Sequence, residues 1–200
     1  MPTRPASRPT QSQGKQGRKT QARLLDAGVE ALAVNGIHAT RVDDVVEMAG
    51  VSHGTFYLYF ANKEALIEAL ARRCADEVVE LVDDLPALDV DSRAELRTWL
   101  ADFIALYRRH GPVIRAWSER QVTDRNLARL GRRSFGRIAA ALAERLPSGA
   151  SDPQLRAAAL LALIERFTYV VTSRDLGWDD DVMIDTLAGV VHRGFVLRAD

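Results

Sequence analysis

The sequence predicts an all-α protein, and two features of its pattern support this. Apolar residues recur at three- and four-residue spacings through most of the 200 residues, and this is the spacing of one face of an α-helix. The periodic stretches are separated by residues that end helices: Asn35-Gly36, Gly50, Leu85-Pro86 and Pro147-Ser148-Gly149. A chain of this length can form one large or two small domains with a substantial apolar core.

The N-terminal segment, residues 1–17, is predicted to be disordered. The first nineteen residues of the chain have no acidic side chain and five basic ones: Arg4, Arg8, Lys15, Arg18 and Lys19. They are otherwise rich in Pro, Ser, Gln and Gly, a composition that cannot bury enough apolar surface to fold. Two interpretations remain open: a solubilising tail, or a flexible basic arm that contacts DNA phosphates or the minor groove.

The first helix is predicted from about residue 19 to residue 34. One of its faces is apolar and carries Leu25, Gly28, Val29 and Leu32. Asn35 and Gly36 end it, because both residues accept the backbone of a helix C-terminus. We expect this helix to support the segment that follows.

Residues 40–63 contain two short helices joined by a glycine turn. Thr40 is a suitable N-cap, and the first of the two helices then places four residues on one face: Val42, Val45, Val46 and Ala49. Gly50 accepts the left-handed backbone of a tight turn, and Ser52 can cap the second helix. Phe56 and Phe60 are four residues apart and are expected to pack back onto the first helix.

The opposite face of the second short helix is unusual for a face in water. It carries His53, Gly54, Thr55, Tyr57, Leu58 and Tyr59. Two tyrosines and a leucine suit a helix in the major groove, where hydroxyls reach phosphates and apolar groups meet thymine methyl groups. Lys63, after the cap residue Asn62, would add a phosphate contact. The segment therefore predicts a DNA-binding helix-turn-helix.

The string from Ala49 to Leu66 resembles the DNA-binding signature of the TetR family of transcriptional regulators, and the resemblance runs from about Arg18 to Leu70. It implies that Tyr57 and Lys63 hold phosphates. We therefore assign DNA binding to Thr40, Arg41, Ser52, His53, Gly54, Thr55, Tyr57, Leu58, Tyr59 and Lys63. The alternative is an ordinary helical hairpin with a buried aromatic pair.

The resemblance also implies the domain organisation. We expect the arm over residues 1–17, a three-helix DNA-binding domain over 18–73, and a helical domain for effector binding and dimerisation over 74–200. Charge agrees with this division, since residues 1–73 hold 10 Lys and Arg against 7 Asp and Glu (+3), and residues 74–200 hold 17 against 20 (−3). The basic part is the part with the DNA-binding motif.

Further helices are predicted in the second domain. One helix runs from Asn62 toward Leu85-Pro86 and would link the two domains. Another covers residues 93–109, and His110-Gly111-Pro112 is predicted to break it before a short helix with Val113, Ile114 and Trp117. A longer helix follows from about residue 123 to residue 146.

Aromatic residues gather in these helices. Taken singly, an aromatic residue at helical spacing is as often part of the core as of a binding site. The resemblance implies a small-molecule cavity among the equivalent helices, and we assign its lining to Phe103, Tyr107, Trp117, Phe135, Ile138 and Phe167. These side chains suit an elongated hydrophobic effector rather than a phosphorylated or strongly charged one.

The last two helices start at Asp152-Pro153 and at Asp179-Asp180-Asp181. Both are apolar on more than one face, so each needs more than one partner. A second copy of the chain would cover them, as in the four-helix dimer interface that the resemblance implies. We assign this homodimer interface to Val170, Leu187, Val191 and Phe195. Burial within one chain is the alternative.

Other classes of protein are disfavoured by the composition. Cys74 is the one cysteine, so neither an intrachain disulfide nor a cysteine-based metal cluster is expected. The four histidines have neither ligand nor triad spacing, and we expect no metal, no cofactor and no enzyme activity. In the pair Glu165-Arg166 we expect a local ion pair or a polar ligand contact. The chain has no signal-like or membrane-spanning apolar stretch, which predicts a cytoplasmic protein.

The sequence thus predicts a homodimeric repressor that binds a near-palindromic operator and is released by a hydrophobic small molecule. The helix from Asn62 to Leu85 would couple the two sites. A regulator without an effector, or an activator, remains the alternative.

Overall fold

The computed structural model describes residues 14–85, 87–120, 125–147, 152–173 and 177–197, and these residues are all-α. They form the helices α1 Lys15–Ala39, α2 Val42–Ala49, α3 His53–Tyr59, α4 Lys63–Asp83, α5 Arg93–Arg120, α6 Arg125–Arg145, α7 Pro153–Ser173 and α8 Asp180–Val191, the last of which continues into a π-helical turn, His192–Val196. The predicted fold class is confirmed.

The first helix is longer than the sequence pattern predicts. It begins at Lys15, so residues 15–17 of the predicted disordered arm are helical, and residues 1–13 lie outside the described residues. Gly36 interrupts the regular backbone with φ 68° and ψ 173°, close to the predicted end of the helix. The chain resumes helical geometry up to Ala39, so α1 is kinked at a glycine.

Side chains cap several helices as the sequence predicts. The Oδ1 atom of Asn62 accepts a hydrogen bond from the backbone N–H of Ala65 at 2.8 Å, and Ser52 caps α3 in the same way. Asp152 and Asp179 accept backbone hydrogen bonds at the starts of α7 and α8. For these helices, the polar cap residues in the sequence correctly indicate where the helix begins.

Helix α5 contradicts one prediction. His110-Gly111-Pro112 does not break it, and a single helix passes through Pro112. Proline lacks the N–H that would bond to the carbonyl four residues earlier, which costs stability in a helix interior. Here the helix continues because residues on both sides of the proline are buried: His110, Val113 and Ala116. Tertiary packing outweighs the local preference.

Two apolar cores lie along the molecule. The N-terminal core joins α1 to α4, with Leu24, Val45, Phe56 and Leu66 among its buried residues. It also includes three residues from the second half of α5 and the start of α6: Val113, Ala116 and Leu127. The second core joins the C-terminal half of α4 to α5, α6, α7 and α8. Helix α4 thus belongs to both cores.

The packing of α8 differs from the predicted dimer interface. Leu187 and Val191 are buried in the second core of their own chain and cannot contact a second copy. Val170 and Phe195 are partly buried, and their place in an interface remains a prediction. The outward face of α8 instead carries Val182 and Val190, which are 61% and 43% exposed. Because α8 is apolar on both sides, its sequence did not show which side faces inward.

The acidic start of α8 is held by arginines of α5. Arg108 donates to both carboxylate oxygens of Asp180 at 2.5 and 2.6 Å, and Arg97 binds Asp181 and Asp185 at 2.6 Å. Arg108 also holds the pKa of the Asp180 carboxyl below its usual value through this hydrogen bond. The pairs lie in water, so they fix the orientation of α8 more than they stabilise the fold. Within the described residues, no helix is both long and apolar enough to cross a bilayer.

Candidate DNA-binding surface and effector cavity

Helix α3 is held by two phenylalanines, Phe56 on its inner face and Phe60 directly after its last residue. Phe56 and Phe60 are buried in the N-terminal core, and their ring centroids are 5.6 Å apart, as the four-residue spacing predicts. The turn before α3 is fixed by Gly50, whose φ of 59° and ψ of 44° are left-handed. The guanidinium of Arg23 donates to the carbonyl of Ala49 beside this turn. The position of α3 is therefore fixed by the buried phenylalanines and by the turn at Gly50.

The outer face of α3 is exposed. Tyr57 and Leu58 are 56% and 66% exposed, and His53 and Gly54 also face water. Thr55 and Tyr59, in contrast, are partly buried, and Tyr59 packs against the N-terminal core. An anchored helix with an exposed tyrosine and leucine is suited to enter a groove of DNA.

His53 has a partner that the sequence did not indicate. Its Nε2 atom lies 2.6 Å from Oδ1 of Asp43, which is on α2, and both side chains are exposed. Asp43 can therefore orient the imidazole ring at the first residue of α3, leaving Nδ1 as the second polar atom of that ring. No local spacing predicts this contact, because it depends on the angle between α2 and α3.

Thr40 is not placed as predicted. Its side chain is buried, and its hydroxyl lies 2.6 Å from the carbonyl oxygen of Gly36 and 3.1 Å from that of Ala31. The N-cap of α2 is instead Arg41, whose backbone N–H donates to the Asp44 carboxylate at 2.7 Å. The Thr40 hydroxyl thus binds carbonyl groups of α1 and is not accessible to a phosphate. The side chain of Arg41, in contrast, is exposed.

Lys63 is partly buried and has two partners within the chain. Its ammonium group donates to the carbonyls of Ile37 at 3.0 Å and Thr40 at 2.9 Å, at the C-terminal end of α1. A cation is favourable at this negative end of a helix. A lysine ammonium has three N–H donors, so one remains for a phosphate. Lys63 fixes the start of α4 against α1 in addition to any contact with DNA.

A cavity of about 1040 Å³ lies between α4, α5, α6 and α7. The structure brings all six predicted effector-binding residues to its wall: Phe103, Tyr107, Trp117, Phe135, Ile138 and Phe167. Val170, assigned to the dimer interface, also lines the cavity, as do Cys74 and Val78 of α4. The volume is at the upper end of the range of small-molecule sites, roughly 300–1,000 Å³.

Few polar groups reach this wall. The hydroxyl of Tyr107 donates to Oε1 of Glu165 at 3.1 Å. Burial and the neighbouring Glu165 carboxylate raise the pKa of Tyr107 above its usual value, so the phenol is neutral and acts as a donor. For Glu165-Arg166 the sequence predicted either a local ion pair or a polar ligand contact. No ion pair is found between these two described residues, and the guanidinium of Arg166 lies 5.1 Å from the ring centroid of Tyr169.

Cys74 is also on the cavity wall. Burial raises the pKa of its thiol to about 12, with a smaller contribution from Glu77. At pH 8 we expect iodoacetamide to modify Cys74 in the native protein roughly a thousandfold more slowly than in the unfolded chain, because so little thiolate forms. Mass spectrometry with and without urea measures this ratio, and equal rates would show that the thiol is accessible and ionised.

Known proteins resemble this chain in sequence over its N-terminal helices. Residues 24–70 match the family model of bacterial regulatory proteins of the tetR family. The fatty acid metabolism regulator protein of Bacillus subtilis is 34% identical over 87 residues, which are 44% of this chain and 43% of that protein. The HTH-type transcriptional repressor KstR2 of Rhodococcus jostii is 35% identical over 83 residues, 42% and 40% of the two chains. The chain thus spans about two fifths of the length of these curated relatives.

The fold of the whole chain is also shared. The crystal structure of the transcriptional regulator FadR from Bacillus subtilis, in complex with stearoyl-CoA, aligns over 85% of this chain and 96% of its own. The TM-score is 0.66 and the sequence identity is 19%. This likeness extends the shared architecture from the N-terminal helices to the helices that surround the cavity.

Proposed function

We propose that this chain is a TetR-type transcriptional repressor that binds a near-palindromic operator as a homodimer. The proposal is supported by the match of residues 24–70 to the family model of bacterial regulatory proteins of the tetR family and by the regulators that this region resembles. A hydrophobic small molecule in the cavity releases it from DNA. The observation that carries the proposal is the exposed outer face of α3, where Tyr57 and Leu58 lie opposite the buried phenylalanines. Similarity to the repressor KstR2 supports repression over activation.

The cavity supports the second half of the proposal. Its wall is mostly apolar and aromatic, and its volume of about 1040 Å³ accommodates an elongated molecule. FadR, which has a similar fold, was crystallised with stearoyl-CoA, a molecule with a long apolar chain. The support is limited to the apolar chain of that ligand, because the wall of this cavity is mostly apolar and suits a long apolar chain better than a compact polar molecule.

Helix α4 provides a direct connection between the two sites. Its first residue, Lys63, binds the end of α1, and Cys74, Ala75 and Val78 further along line the cavity. Lys63 and Val78 are about 22 Å apart along a helix with a rise of roughly 1.5 Å per residue. Trp117 gives a second connection, since it lines the cavity and packs against the N-terminal core. A ligand that moves either helix changes the spacing of two α3 helices in a dimer.

The proposal predicts different salt dependence for two DNA-contact variants. Lys63→Ala is expected to weaken operator binding and to flatten the slope of log affinity against log salt concentration by about 0.9 for each phosphate that is no longer neutralised. Tyr57→Phe is expected to weaken binding at every salt concentration without changing the slope, because a neutral hydroxyl displaces no counterion. Fluorescence anisotropy on the upstream DNA of its own gene measures both.

The matched control is Arg137→Ala, which removes an exposed arginine of α6 that pairs with Asp76. We expect its affinity and slope to match those of the unmodified protein. Changes at His53 or Leu58 are expected to alter the preferred sequence instead. Unchanged binding in both Lys63→Ala and Tyr57→Phe would contradict the assignment of this surface.

A second prediction concerns the cavity. Ile138 is buried on the cavity wall, so Ile138→Trp is expected to fill part of the cavity, leave the melting temperature unchanged or raised, and abolish effector release while operator binding is retained. In a fully packed core the same change would cost about 1–3 kcal/mol. Differential scanning fluorimetry and operator release by a panel of apolar metabolites form the paired measurement. A destabilised variant, with no metabolite releasing the unmodified protein, favours a regulator without an effector.

A further inference from the structure

The cavity wall has one carboxylate among the described residues that line it, that of Glu165 on α7. This side chain is half-buried, and its hydrogen bond comes from the hydroxyl of Tyr107 at 3.1 Å. Within the described part of the chain, neither a lysine, an arginine nor a histidine forms an ion pair with it. Glu165 is thus a negative charge on an apolar wall without a positive partner from the described residues.

A carboxylate in this position has unused capacity for partners. Its two oxygens offer about four acceptor sites, and the phenol of Tyr107 occupies one of them. A charge that is partly removed from water is unfavourable unless it is paired and hydrogen-bonded. A positive group on a ligand would supply the pairing that no described residue supplies.

Aromatic rings surround the same space. Phe103, Tyr107, Trp117, Phe135, Phe167 and Trp178 line the cavity. The faces of such rings attract cations, most strongly where water is excluded. Arg166 already uses this interaction on the ring of Tyr169. Rings and a carboxylate together are the features that recognise an alkylammonium group.

Among the described residues that line the cavity, Arg166 is the cationic one. Its side chain is exposed, so water and salt screen its charge. A carboxylic acid could reach Arg166 at the outside but would place its negative charge on the same wall as Glu165. The charge distribution therefore disfavours anionic head groups.

We propose that the effector is an organic cation with an elongated apolar body, and that Glu165 is the residue that binds its positive group. This deepens the proposed function and depends on the cavity being its effector site. It also revises the sequence-based prediction, which disfavoured phosphorylated or strongly charged ligands and left Glu165-Arg166 as either a local ion pair or a polar ligand contact.

The test uses the full-length protein and three ligands that differ in their head group: decyltrimethylammonium, decanol and decanoate. Binding is followed by tryptophan fluorescence below the micelle concentration, since two of the three tryptophans, Trp117 and Trp178, line the cavity. Circular dichroism verifies the fold. We expect the ammonium to bind about tenfold more tightly than the alcohol, since its ion pair with Glu165 and its cation–π contacts with the rings together contribute roughly 1.4 kcal/mol or more. Decanoate should bind most weakly.

Glu165→Gln keeps the size of the side chain and removes its charge. It is expected to weaken binding of the ammonium about tenfold, because the ion pair with the ligand is lost, and to change binding of the alcohol less than about threefold. Glu144→Gln is the matched control, because that carboxylate is exposed on α6 and pairs with Arg145 outside the cavity. Decanoate as the tightest ligand, equal affinities for all three, no binding of the ammonium, or an unchanged Glu165→Gln would each overturn the proposal.

These measurements contain no DNA, which separates them from the proposed function. If the ammonium binds through Glu165 but a saturating concentration leaves the operator complex intact, the release mechanism fails and the ligand class stands. If the protein does not bind its operator, the proposed repressor function fails regardless of the ligand series.

Discussion

Val191→Arg is expected to unfold the protein, whereas Val190→Arg is expected to leave it folded and to convert a dimer into monomers. Val191 is fully buried in the core of its own chain, and an unpaired charge there costs several kcal/mol, comparable to a total stability of roughly 5–15 kcal/mol. Val190, the adjacent residue on α8, is 43% exposed and lies on the outward apolar face with Val182. The same substitution thus tests the two faces of one helix.

Urea denaturation and sedimentation velocity distinguish the two effects. Val191→Arg should lose its cooperative transition, and Val190→Arg should keep it with a halved mass. A folded Val191→Arg variant would contradict the packing of α8. A dimeric Val190→Arg variant would place the interface on another surface.

Phe56→Ala is expected to cost about 3–5 kcal/mol of stability, because Phe56 is a large side chain of α3 that is fully buried in the N-terminal core. Its neighbour Tyr57 points outward, so Tyr57→Ala is expected to change stability by less than about 0.5 kcal/mol. We expect Tyr57→Ala nevertheless to weaken operator binding at least tenfold, since a hydrogen bond to a charged group contributes roughly 1.5–3 kcal/mol.

The measurements for this pair are thermal unfolding and operator affinity. Phe56→Ala should lower the melting temperature and lose DNA binding as a result of losing α3. Tyr57→Ala should lose binding with its melting temperature unchanged. If Tyr57→Ala binds its operator normally, the exposed face of α3 does not contact DNA and another surface must do so.

The sequence predicts the α2–α3 segment well because its determinants are local. The turn requires Gly50, the cap of α3 is Ser52, and the spacing of Phe56 and Phe60 determines which side is buried. The six aromatic and aliphatic residues of the cavity were also predicted. They came from a resemblance that places four helices together, and the structure brings those residues to one wall.

Other features depend on contacts between distant residues, and local patterns could not predict them. The continuation of α5 through Pro112 depends on burial against α1 and α4, which outweighs one missing hydrogen bond. The contact of His53 with Asp43 depends on an angle between helices. The burial of Leu187 depends on which of two apolar faces of α8 meets α5.

The N-terminal core is not formed by the N-terminal helices alone. Val113, Ala116 and Leu127 are buried in it, although they follow α4 in the chain by many residues. A fragment that stops near residue 73 would lack these side chains and would expose the apolar surface that they cover on α1 and α4. Chimeric regulators that exchange the N-terminal helices between homologues would therefore have to exchange the second half of α5 and the start of α6 as well.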